Sequence, residues 1–236
     1  MGVEIVAHRG ANTLAPENTL SAARVCLEMQ VDWVEVDVRT SRDGKLYNMH
    51  DRSLGRTTAG AETRALSQLD SREIDSLDAG GWFAPQFSGE RIPRIETLIE
   101  ELLGKMHFYF DVKEANLDAL VELVSRYHIQ EQCFFWFWNP LTARAFRKLA
   151  PHLCLKINAA TVSGVRRARR RYGAQIIECK MDVLNERLVE GCHEAGMKLM
   201  VRIEDNDPDG FRRIIESGAD MVNLDHVAEF RKVNDN

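Results

Sequence analysis

The stretch from Trp33 to Asp51, WVEVDVRTSRDGKLYNMHD, limits what this chain can fold into more than any other. On an extended strand side chains alternate, so Trp33, Glu35 and Asp37 share one face and Val34, Val36 and Val38 the other. Such a strand has an apolar core behind it and a charged site in front. Burying an unpartnered carboxylate costs on the order of several kcal/mol, so a metal ion, an arginine or a lysine must face these acids. After the Arg42-Asp43-Gly44 turn, a run that puts Leu46, Asn48 and His50 on a common face reads as a further strand.

The rest of the chain repeats strand and helix. Val3 to His8 forms a first strand, with Val6 and His8 on one face, and ends in His8-Arg9-Gly10. A helix capped by Asn18 or Thr19 follows, to about Met29. Beyond residue 95, strand-like runs near 107–113, 133–137, 153–157, 175–179, 198–203 and 220–224 alternate with helical segments near 115–126, 141–149, 161–172, 184–195 and 208–217. Residues 52–94 are too long for an ordinary βα connection and predict a lid or binding insertion. The pattern predicts a single TIM-type (β/α)8 barrel domain over residues 1–236, with a cap subdomain inserted at about 52–94 after an early strand. Nine strand candidates compete for eight barrel positions, and the Asp43-Gly44 connection suits a hairpin, which parallel neighbours cannot use. Periodicity does not say which candidate lies outside.

A net charge of -5 argues against a nucleic-acid-coating or membrane-coating protein. No apolar run approaches the ~20 residues of a membrane span, and the N-terminus has no signal-peptide pattern, so a cytoplasmic protein without stable membrane insertion is expected. Five cysteines without a CxxC pair fit reduced thiols rather than a disulfide framework. The arginine run at 166, 167 and 169–171 reads as a solvated helix face, and a homo-oligomer is left open.

Inward-facing residues at or near strand C-terminal ends converge at a barrel mouth: His8, Glu35, Asp37, His50, Asp111 and Lys113. Three carboxylates without a thiolate describe a hard-cation site suited to Mg²⁺ or Ca²⁺. Arg9 and Lys113 beside it suit a phosphate, and two histidines suit acid/base work. Together they point to cleavage of a small-molecule phosphodiester. Alternation also turns Arg202 inward, which favours more anionic diesters. Taken singly, each histidine is an ordinary structural one and Glu35 with Lys113 a barrel salt bridge; their coincidence decides against that. A Schiff-base role for Lys113 or Lys156 would leave the acids and histidines idle, and a non-catalytic phosphoester-binding barrel would leave the histidines unexplained.

His8-Arg9-Gly10, Pro16-Glu17-Asn18-Thr19, Glu35-x-Asp37, His50-Asp51, Arg56-Thr57-Thr58, Leu77-Asp78-Ala79-Gly80 and Gly218-x-Asp220 succeed one another as in the glycerophosphodiester phosphodiesterase family, which the chain resembles densely over residues 5–113. That resemblance implies a TIM barrel with an inserted cap and a divalent metal on Glu35, Asp37 and Asp111. It further implies His8 and His50 as the catalytic pair, Arg9 and Lys113 on the phosphate, and glycerol 3-phosphate plus an alcohol as products. Lysophospholipid-like diesters are the neighbouring substrate class. Two positions depart from the family: Asp111 stands where it usually has Glu, and Met200-Val201-Arg202-Ile203 where it tends to have an aromatic.

Overall fold

The structure, a computed structural model, describes residues 2–234. Its strands are β1 (Glu4–Ala7), β2 (Trp33–Thr40), β3 (Leu46–Asn48), β4 (His107–Glu114), β5 (Cys133–Phe137), β6 (Cys154–Asn158), β7 (Ile176–Lys180), β8 (Lys198–Ile203) and β9 (Met221–Leu224). The helices are α1 (Leu20–Glu28), α2 (Ser71–Ile74), α3 (Ile95–Leu102), α4 (Leu117–Arg126), α5 (Pro140–Leu149), α6 (Val162–Tyr172), α7 (Glu186–Glu194), α8 (Pro208–Glu216) and α9 (Val227–Asn234). Every strand but β3 runs parallel to its neighbours in the closed ring β1-β2-β4-β5-β6-β7-β8-β9, which ends where β9 pairs with β1, Ala7 opposite Leu224. This is a TIM barrel. The surplus strand is β3, antiparallel to β2 with Thr40 opposite Leu46. The short turn between them needs Gly44 at φ +84°, a left-handed conformation that glycine adopts freely.

Alternation sorts the side chains as the sequence predicts. Val34, Val36 and Val38 of β2 and Phe108, Phe110 and Val112 of β4 face the helices. Inside, Val6, Tyr109, Phe134, Ile176, Met200 and Met221 fill the barrel floor. Above that floor lies a buried polar layer of Glu35, Asp37, Asp111, Lys156, Glu178 and Asn223. At the β1–α1 turn, a Cβ on Gly10 would lie 2.8 Å from that of Ala22, so only glycine lets the turn seat against α1.

The segment between β3 and α3 encloses a small core of its own, including Tyr47, Leu54, Leu66, Leu69 and Ile74. Polar contacts tie it down: Ser21 Oγ donates to Glu90 at 2.6 Å, and Arg56 makes two 2.7 Å bonds to Glu17. His50 departs from the sequence expectation. β3 ends at Asn48, so His50 lies beyond it in a bend, its carbonyl held by Arg39 at 2.7 and 3.0 Å. Among the described residues no helix is long and apolar enough to cross a membrane.

Candidate active site

Strand register brings the acids together. Asp37 and Asp111 are paired residues of β2 and β4, and Glu35 lies two residues before Asp37 on the same face. Glu35, Asp37 and Asp111 are all buried and offer one oxygen each within 4.8 Å of one another. A partner pins each carboxylate from one side: Asn223 donates to Glu35 Oε2 at 2.8 Å, Asn18 to Asp37 Oδ2 at 2.8 Å, and Lys113 to Asp111 Oδ2 at 2.6 Å. Asn18 holds this place in a left-handed conformation, φ 58°, strain of the kind that collects at functional sites.

The remaining oxygens are under-satisfied. Asp111 Oδ1 and Asp37 Oδ1 are buried without a hydrogen bond, although the Lys113 ammonium lies 3.1 Å from the latter. Burial and the neighbouring Asp37 push the Asp111 carboxyl up to about 7, against the pull of Lys113. For Asp37 burial works the same way, but Lys113, His50, Asn18 and Arg9 outweigh it and hold the group below the usual carboxylate range. Three clustered carboxyls with open oxygens, one of them driven toward its neutral form, are the donor set that a hard divalent cation fits.

Each histidine is backed by an acid. His8 Nδ1 lies 2.6 Å from Asp225 Oδ1, and His50 Nδ1 lies 2.8 Å from Asp51 Oδ1. Neither backing acid therefore occupies Nε2 of its ring. His8 Nε2 is 3.9 Å from Glu35 Oε1 and 3.1 Å from Arg202 Nη2, a contact that the neutral ring accepts because a guanidinium only donates. Burial depresses the His8 imidazole, but the Glu35 and Asp225 carboxylates outweigh it and set the ring above its ordinary value. His50 goes the other way: burial with the Lys113 and Arg9 charges outweighs Asp37 and Asp51 and sets it below. Arg9, at φ 58°, bonds Glu17 at 3.2 Å and leaves its buried Nε 3.9 Å from Asp37.

The model of the glycerophosphoryl diester phosphodiesterase family matches residues 8–229. The chain belongs to that family. A glycerophosphodiester phosphodiesterase of Caldanaerobacter subterraneus subsp. tengcongensis is 30% identical over 231 residues, covering 94% of this chain and 93% of its own. The crystal structure of the glycerophosphodiester phosphodiesterase from Agrobacterium tumefaciens str. C58 superposes with a TM-score of 0.93 at 33% identity, covering 98% and 99% of the two chains. An Oleispira antarctica phosphodiesterase, described in complex with the product sn-glycerol-3-phosphate, shares the fold at a TM-score of 0.90 and 24% identity, over 100% and 98% of the chains.

All the sequence-predicted site residues of this family member, His8, Arg9, Glu35, Asp37, His50, Asp111, Lys113 and Arg202, meet at one mouth. The supporting ring was missed. Asp225 comes directly after β9, whose pairing with β1 puts it beside His8; an acid just past the last strand of a closing barrel was the available signal. Asn18 and Asn48 lay in stretches the sequence singled out, but that Asn18 and Asn223 donate to carboxylates and Asn48 accepts from the Asp37 backbone N–H follows only from packing. Lys156 is fully buried in an ion pair with Glu178, donates also to Asn158 at 3.0 Å, and lies 4.6 Å from the Trp136 ring centre. With its Nζ taken up by Glu178 and Asn158, it is badly placed for a Schiff-base nucleophile.

Proposed function

We propose that this member of the family cleaves small glycerophosphodiesters to glycerol 3-phosphate and an alcohol, by metal-dependent acid/base catalysis between His50 and His8. The observation that carries this reading is the placement of two acid-backed histidines beside one three-carboxylate cluster, His8 next to Glu35 and His50 within the field of Asp37. Glu35, Asp37 and Asp111 would hold Mg²⁺ or Ca²⁺, which supplies charge neutralisation at the phosphate oxygens and a lowered pKa for a bound hydroxyl. Arg9 and Lys113 orient the phosphate and offset its developing charge.

The opposed directions of the two rings support this division of roles. His50, set low, takes the proton from the attacking oxygen through Nε2. As the new P–O bond forms and the ester bond breaks, His8, set high, gives its Nε2 proton to the leaving alkoxide. Asp51 and Asp225 hold the two rings in the tautomer this requires. The cap's closed small core and its polar ties to α1 and Glu17 support a small substrate over an acylated one.

The test is release of glycerol 3-phosphate from glycerophosphocholine with and without EDTA, then separate Mg²⁺ and Ca²⁺ add-back. Turnover lost to chelator and restored by one ion is the expected result; full activity in EDTA would refute the metal assignment.

A further inference from the structure

Beside His8 the mouth opens into a cavity of about 570 Å³, lined among others by Trp136, Trp138, Lys180, Asp182, Arg202 and Glu204. It lies at the C-terminal ends of β5 to β8, and Arg202 belongs to both spaces: its Nη2 reaches His8 Nε2 while its side chain lines the cavity. If His8 protonates the leaving oxygen, the leaving alcohol extends into this space, so the role of the cavity rests on that reaction.

We propose that the cavity seats the leaving alcohol, and that Lys180 with Arg202 selects alcohols carrying a second negative charge, a carboxylate or a phosphate. Lys180 and Arg202 are register partners on β7 and β8, two residues beyond the pair Glu178 and Met200, whose side chains lie inside the barrel. Alternation therefore turns both cations to the mouth on neighbouring strands about 4.8 Å apart. Like charges so placed repel unless an anion lies between them. One layer below, Lys156 is neutralised by Glu178. Among the described residues Arg202 makes one direct ion pair outside the site, with Glu204 at 2.9 Å on a side chain 62% exposed, a weak solvent-screened contact, while the buried Glu35 and Glu178 act on it from farther off. Among the described residues Lys180 has no ion pair, and its exposed side chain is free to meet a ligand.

Three acids line the cavity as well; Glu178 is paired with Lys156, and the other two oppose this selectivity. Asp182 and Glu204 also line the cavity, and with the Trp138 ring, 79% exposed, they are the groups a cationic alcohol would use. Both acids lie past the strands, Asp182 in the turn Met181–Val183 and Glu204 just after β8, whereas the two cations are fixed by strand register. Set side by side by register, the two cations can bind one anionic group together, so they decide the preference.

The experiment compares kcat/KM for glycerophosphoglycerol and the same diester phosphorylated on its leaving glycerol, with glycerophosphoglycerate as the carboxylate arm and glycerophosphocholine as the cationic one. The phosphorylated diester is expected to be preferred over its neutral counterpart by about tenfold or more. Lys180→Ala should cut that ratio by about tenfold, and Lys180→Glu should turn the preference toward glycerophosphocholine. A rate raised by phosphate but not by glycerate's carboxylate assigns the seat to phosphate alone. Equal kcat/KM across the set, a preference for choline, or a ratio that Lys180→Ala leaves intact would overturn the selectivity while leaving the phosphodiesterase reading standing. Failure to cleave any of the four would overturn both.

Discussion

At the scale of single residues, the proposed division of work between the two histidines rests on their different surroundings. His8 faces two carboxylates, and half-buried His50 lies in the field of the Lys113 and Arg9 charges. Activity should therefore trace a bell. It rises as His50 loses its proton below the ordinary 6.5 and falls as His8 loses its own above 6.5. A rate that climbs without a maximum into strong alkali would contradict the pair. His8→Ala and His50→Ala should each lower kcat by about 10² or more with the circular dichroism spectrum unchanged. Asp225→Asn removes one of the charges that hold His8 up, so the alkaline limb should move to lower pH and leave the acid limb in place. Arg202 at Nε2 of His8 is a feature of this chain's mouth, and its charge opposes protonation of that ring.

At the scale of elements, the cap is tied to the barrel at a few points and packed within itself. Its core is separate from the helix-covered outer core. Leu66, almost fully buried there, is a clean probe. Leu66→Ala should destabilise that unit by about 2–5 kcal/mol, and native-state hydrogen exchange should show amides of residues 49–94 losing protection while those of β4 and β5 keep theirs. Uniform loss across the barrel would mean that the two cores unfold as one. Activity should fall along with cap protection, because Arg56 joins the cap to Glu17 and to Asp51, the partner of His50.

At the scale of the whole molecule, the polar layer sets how stability responds to pH and to cations. An Asp whose folded pKa is raised holds its proton after the unfolded chain has released it, so folding stability falls with rising pH between the two values. For Asp111 that window runs from the ordinary 3.8 to about 7. In EDTA the melting temperature should decline across it. Saturating Mg²⁺ or Ca²⁺ should raise the melting temperature and flatten the decline, since binding to the folded state alone stabilises it. Asp111→Asn should abolish both effects, and an ion-independent melting curve in the unmutated protein would refute the cation site.

Much of this molecule was legible in order along the chain. Period-two alternation in residues 33–38 and 107–113 fixed which side chains face the barrel interior, because strand geometry leaves only two faces. The repeat of strand and helix indicated the barrel, and the histidines, acids and cations at strand ends indicated one mouth. Register and closure lay beyond that local pattern. Only the closed ring showed that β3 stands outside it, that Asp225 meets His8 across 217 residues, that asparagines pin the carboxylates, and that Lys180 stands beside Arg202. Alternation is a property of a residue and its nearest neighbours, whereas these contacts depend on which strands pair and in what register, and that is settled by the packing of the whole chain.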